Sequence, residues 1–119
     1  MTTYVVLIPG DEDAWESKSA AEMSAVFAAH ARFAKLLAER GHTLALTYPL
    51  EHSRTARTLR RTPGGVVVTD GPFAESAEQV SGLYVIESDD VDDLVECARV
   101  IAAVEDGVEV RVAGDPDQL

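Results

Sequence analysis

Apolar and polar residues recur along this 119-residue chain with two different periods, and the switches between them mark out its elements. Thr3-Tyr4-Val5-Val6-Leu7-Ile8 is a β-branched, nearly continuous apolar run stopped by Pro9-Gly10, the pattern of a strand covered on both faces. Gly10-Asp11-Glu12-Asp13 reads as a polar loop leading to the only tryptophan, Trp15. Ser19 followed three residues later by Glu22 is a capping box, in which each side chain satisfies the other's free backbone N–H at a helix start. From there Met23, Val26, Phe27, His30, Phe33, Ala34 and Leu37 recur at three- and four-residue spacing and form one stripe, with Arg40 and Gly41 as the stop.

Thr43 to Tyr48 alternates as a strand should and is closed by Pro49. Residues 54 to 60 and 65 to 69 form a predicted hairpin around the turn Thr62-Pro63-Gly64-Gly65. A strand returns over residues 82 to 87, and Ser88-Asp89-Asp90 caps a second helix at its positive dipole end. The stripe of that helix is Val91, Leu94, Val95, Ala98, Ile101 and Ala102. Val108, Val110 and Val112 alternate with Glu109 and Arg111 in a last strand, and a patternless tail begins at Gly114.

This order predicts one α+β domain, core about 3–113 with residues 114–119 as tail: a ferredoxin-like βαββαβ with an inserted β-hairpin. Right-handed crossovers put both helices on one side of the sheet. The opposite side then needs cover, and a second copy of the chain supplies it, so a homodimer is expected.

Charge narrows the partners. Acidic residues outnumber basic ones 21 to 10, a formal net charge of −11, and such a field repels phosphate backbones and anionic membranes. Arg54, Arg57, Arg60 and Arg61 are the local exception; they read either as a solvated strand edge or as an attractor for a small anion. No apolar run approaches the ~18 residues of a membrane span, and no basic stretch precedes an apolar one near Met1, so the expected location is cytoplasmic. Cys97, the single cysteine, excludes an intrachain disulfide or thiolate cluster, and His30, His42 and His52 lack metal-ligand spacing. No metal or cofactor is therefore expected, and no phosphate loop, dinucleotide fingerprint or nucleophile elbow is present.

Two ionisable groups stand out. His30 lies in the apolar stripe of the first helix, where an imidazole near a carboxylate can act as general acid or base; it can equally serve as a structural hydrogen-bonding group. Asp70 ends the run Val66-Val67-Val68-Thr69, where sites tend to form, although Asp before Gly-Pro is also a common turn former.

The run Thr69-Asp70-Gly71-Pro72-Phe73-Ala74-Glu75, with Glu78-Gln79 and Gly82-Leu83-Tyr84, resembles the YCII-related proteins, in the branch with an Asp-Gly-Pro-Phe motif. The similarity extends to Gly10-Asp11-Glu12 with Trp15, to the helix carrying His30 and Phe33, and to Gly107-Val108-Glu109-Val110-Arg111. It implies a bacterial dimeric α+β barrel of ferredoxin-like protomers with no established reaction, and a histidine–aspartate pair matched here by His30 and Asp70. This chain departs from the family pattern at Glu75-Ser76-Ala77-Glu78, which lacks the usual lysine, at Val112, where proline is usual, and at Pro9, where an aromatic is common.

The leading expectation is a small-molecule enzyme in which Asp70 orients His30 for proton transfer, with Tyr48, Arg57 and Tyr84 binding substrate. The alternative is a non-catalytic dimer that binds a small ligand or serves a regulatory partner, since relatives of the branch often accompany sigma-factor-like regulators.

Overall fold

Each expected strand forms in the computed structural model, which describes residues 1–119, but several run past their expected ends. Strand β1 spans Thr2–Asp11 and continues through Pro9, which has no N–H to give to a ladder; the register against its neighbour slips between Ile8 and Pro9 to absorb it. Helix α1, Glu12–Glu16, replaces the expected loop, because the Asp11 carboxylate accepts the N–H groups of Asp13 and Ala14. Helix α2, Ala20–Glu39, begins with the capping box expected at Ser19 and Glu22. The two hydrogen bonds from Ser19 lower the pKa of the Glu22 carboxyl. After α2, Gly41 turns the chain at φ 82°, a conformation that favours glycine.

Strand β2 is Thr43–Pro49, β3 is Arg57–Thr62, β4 is Gly65–Asp70, β5 is Glu78–Ser88 and β6 is Glu109–Val112; helix α3, Val91–Ala102, is capped by Asp90. Residues 53–55 form a 3-10 turn, so residues 54 and 55, expected within the hairpin's first strand, lie outside it. The main sheet has the order β2-β5-β1-β6 with every pair antiparallel, so β1 and β2 run the same way on either side of β5. Two split βαβ units woven together give this order, the ferredoxin-like arrangement. Strands β3 and β4 pair only with each other, in a separate two-stranded sheet.

The core lies between the main sheet and the two long helices. Val6, Ile8, Tyr84 and Ile86 from the sheet meet Phe33 and Leu37 of α2 and Leu94, Cys97, Ala98 and Ile101 of α3. Each large side chain fully removed from water here contributes about 1.5–3 kcal/mol. Phe27, Val91 and Val95, expected in the helix stripes, are exposed instead. Alternation carries Val5, Leu7, Leu46, Leu83 and Val85 to the opposite side of the sheet, where no helix packs.

Candidate acid-base site

At one end of the helix layer the sheet and helices part. Tyr84 sits on β5, facing the helices, and its ring packs edge-on against Phe33 of α2 at 5.0 Å between centroids. One turn earlier on α2, His30 lies parallel to Tyr84, with ring centroids 5.9 Å apart. This placement brings His30 Nδ1 to 2.6 Å from the Tyr84 hydroxyl. The other ring nitrogen, Nε2, is 3.1 Å from Oε1 of Glu105. Glu105 is held by the turn that ends α3, where the N–H groups of Val104 and Glu105 both donate to the Ile101 carbonyl.

Burial raises the pKa of Tyr84; a hydrogen bond with Thr47 partly offsets this, and the field of Glu105 adds a lesser rise. The phenol is therefore protonated near neutral pH and able to donate to Nδ1; in the tautomer that accepts it, Nε2 carries the imidazole proton and donates it to Glu105. A hydroxyl, an imidazole and a carboxylate are thus joined in one hydrogen-bonded row. A proton passing from the phenol to His30 would create an imidazolium directly against the Glu105 carboxylate, which stabilises that charge.

The row opens onto a cavity of about 460 Å³ between the sheet end, α1, the first turns of α2 and the α3–β6 turn. Trp15, Val26 and Phe27 supply apolar wall. Gly82 lies next to Tyr84 on the helix-facing side of β5, and a side chain there would press on the Tyr48 carbonyl at 3.3 Å. Its lack of one keeps the floor open. Six carboxylates line the cavity (Asp11, Glu12, Glu16, Glu51, Glu105 and Asp106) against the cations Lys18 and Arg54. Most are tied down locally: Asp106 accepts the Asp11 N–H at 3.0 Å, Glu12 accepts both the N–H and the hydroxyl of Ser53, and Glu16 pairs with Arg54.

Of the residues expected from sequence, His30 and Tyr84 meet at this cavity and Tyr48 lies on its lining. Asp70 does not pair with His30 within the protomer. It ends β4, outside the main sheet, and both nitrogens of His30 are taken by Tyr84 and Glu105. Arg57, opposite Asp70 on β3, is also absent from the cavity wall. The Asp-Gly-Pro-Phe run instead anchors the base of the β3–β4 hairpin. Gly71, at φ 100°, donates its N–H to the Ala56 carbonyl at 2.7 Å and accepts the Thr58 hydroxyl at 2.7 Å, while Arg60 covers the Phe73 ring and bonds the Phe73 carbonyl. Sequence reasoning missed Glu105; the available signal was the acidic pair Glu105-Asp106 just beyond the end of a helix, ahead of Gly107.

A second histidine network lies at the far end of β5. His42 donates from Nε2 to Asp93 at 2.7 Å and meets the Ser88 hydroxyl with Nδ1 at 2.7 Å; Arg40 also pairs with Asp93. Ser88 is fully buried and His42 is 7 % exposed. Cys97 stands beside them, its thiol pKa raised by burial and then by Asp93. His42, Asp93 and Cys97 bring three donor atoms within 4.8 Å of one another, as do Asp13, Glu16 and His52. Neither set is poised for a cation. His42 Nε2 already donates its proton to Asp93, and Arg40 neutralises that carboxylate. At His52, Nδ1 accepts the Arg54 N–H at 3.0 Å, so Nε2 carries the proton where a metal would bind.

The YCII-related domain family matches residues 2–113. The chain belongs to that family. Over 44 residues it is 46% identical to an uncharacterized protein, R00369, of Rhizobium meliloti (strain 1021), a stretch covering 37% of this chain and 36% of that protein. The matched part is therefore about a third of the relative's length, and the relative's name assigns no activity. No helix of this chain is long and apolar enough to cross a membrane.

Proposed function

We propose that this YCII-family protein is a small-molecule enzyme that moves a proton on a substrate held in the cavity, with His30 as the acid-base group, Tyr84 as the hydroxyl that meets the substrate and Glu105 as the carboxylate that fixes and charges the imidazole. The observation that carries this reading is the pair of hydrogen bonds, 2.6 and 3.1 Å, that place one imidazole between a protonated phenol and a carboxylate at the wall of a 460 Å³ cavity. In this reading Glu105 takes the orienting role first expected of Asp70. The surplus of carboxylates on the wall favours neutral or cationic substrates over phosphates and other polyanions. We further place the chain in the Asp-Gly-Pro-Phe branch, on Asp70-Gly71-Pro72-Phe73, and read it as a bacterial, cytoplasmic homodimer that covers the apolar side of the main sheet. Nucleic acid and anionic membrane are not its partners on this reading, because of its charge.

Trp15, the single tryptophan, lines the cavity and reports on it directly. Titration of a panel of small neutral and cationic fragments should change its fluorescence, and Tyr84→Phe should abolish turnover of any fragment that reacts while preserving binding within about tenfold. Fragments that bind and never react would favour the non-catalytic ligand-binding reading. Binding that ignores Trp15 and survives His30→Gln together with Tyr84→Phe would contradict the site.

A further inference from the structure

The β3–β4 hairpin is built as an arm. Residues opposite one another in its ladder share a face, so Arg57, Leu59 and Arg61 lie on the same side as Asp70, Val68 and Val66. That face presents Leu59 at 65 %, Val66 at 65 % and Val68 at 60 % exposure, an apolar strip with arginines at its edge. A lone two-stranded hairpin in water is marginal at best, and this one pairs with no other strand; the bonds of Gly71, Thr58 and Arg60 at its base close it on its own residues 56–73. Residues 57–70 also hold three of the chain's ten basic residues and only one of its 21 acidic ones. None of those three arginines takes part in an ion pair within the protomer.

An apolar strip edged with unpaired arginines matches a surface that is apolar and acidic. The rest of this chain is strongly acidic, and the open side of its main sheet carries Val5, Leu7, Leu46, Leu83 and Val85 together with Glu87 and the Glu109–Arg111 ion pair. We propose that the β3–β4 arm docks on a second copy of this chain, laying the Leu59, Val66 and Val68 face against that copy's body while Arg57 and Arg61 meet its carboxylates. Two-fold symmetry makes the embrace reciprocal, so each protomer gives one arm and receives one. The Asp-Gly-Pro-Phe run then acquires a physical role, because its Gly71 clamp and its Phe73–Arg60 stack close the base of the arm and hold its two strands together. This proposal rests on the homodimer read above and adds the element that holds it.

Sedimentation at micromolar concentration tests it. The wild-type chain should be a dimer, and Leu59→Asp with Val68→Asp should raise the dimer Kd by about 100-fold or more, because two apolar contacts become buried charges. Arg57→Glu with Arg61→Glu should also weaken the dimer, whereas Thr69→Asp, on the other face of the arm, should change Kd less than about threefold. All the substituted positions are exposed, and an NMR fingerprint of each variant confirms that the protomer stays folded. Hydrogen exchange gives a second readout: arm amides should be protected at high protein concentration and lose protection on dilution. A dimer unaffected by Leu59→Asp with Val68→Asp would overturn the arm while leaving sheet pairing intact; a monomeric wild type would overturn both.

Discussion

The molecule builds nearly the same set of groups twice, at opposite ends of one strand. Tyr84 and Ser88 both face the helices from β5, four residues apart, and each offers a hydroxyl to the Nδ1 of a histidine. The carboxylates that take the other ring nitrogen sit at the two ends of α3, Asp93 in its first turn and Glu105 just past its last. Chemistry alone does not separate the two rows; access does. His42 is locked between the end of α2, the start of α3 and the end of β5, with Ser88 sealed from solvent. His30 stands where the sheet and helices diverge, beside open volume. A satisfied and sealed network supports the fold, and a satisfied network at a cavity wall can also exchange protons with a guest.

Breaking each row in turn should separate them by consequence. The largest effect is expected at the closed end. His42→Ala removes a buried ring and its hydrogen bonds to Ser88 and Asp93, which keep Asp90 and Arg40 as partners, and urea unfolding should show a loss of about 3 kcal/mol. Tyr84→Phe keeps the ring packed on Phe33 and removes one hydrogen bond, so it should cost about 1 kcal/mol in the same assay while silencing any reaction at the cavity. His30→Gln should change stability by less than about 1 kcal/mol, because solvent in the cavity can replace the lost contacts. A loss of more than about 2 kcal/mol there would make His30 a structural group like His42.

The closed row also predicts thiol behaviour. Burial holds the Cys97 thiol above its ordinary value of 9.0, so at pH 8 it should resist a thiol reagent in the native protein and react at once in denaturant. The linked stability has a definite sign. A raised folded-state pKa means that the stabilising contribution of the protonated thiol is full below the ordinary value and is lost as pH climbs above it, and Tyr84 adds a similar loss at higher pH. Thermal melts should therefore fall on the alkaline side of pH 9.

Most of the fold is legible in the sequence because it rests on local signals. The capping box at Ser19 and Glu22, the stripe through Val26, Phe33 and Leu37, and the alternation in β1, β5 and β6 each specify an element without knowledge of its neighbours. The errors fall where a short-range signal has a second solution. Pro9 signals the end of a strand and instead sits in an irregularity of the ladder, and Asp11 has the look of a loop residue although its carboxylate can cap a short helix. The site is half legible. His30 is visible as the ionisable group in an apolar stripe, but its partners depend on which strand and which turn lie across from it. Tyr84 and Glu105 are 54 and 75 residues away in the chain, and no spacing rule reaches that far. Asp70 draws attention through a motif whose visible work is at the base of an arm.

The hydrogen bonds of one imidazole decide whether the open row is a site. Nitrogen-15 NMR of the His30 ring at neutral pH should show the tautomer with its proton on Nε2, a Nδ1 resonance that moves when Tyr84 becomes Phe, and no response to Asp70→Asn. A proton on Nδ1, or a ring that ignores Tyr84→Phe and answers to Asp70→Asn, would contradict it.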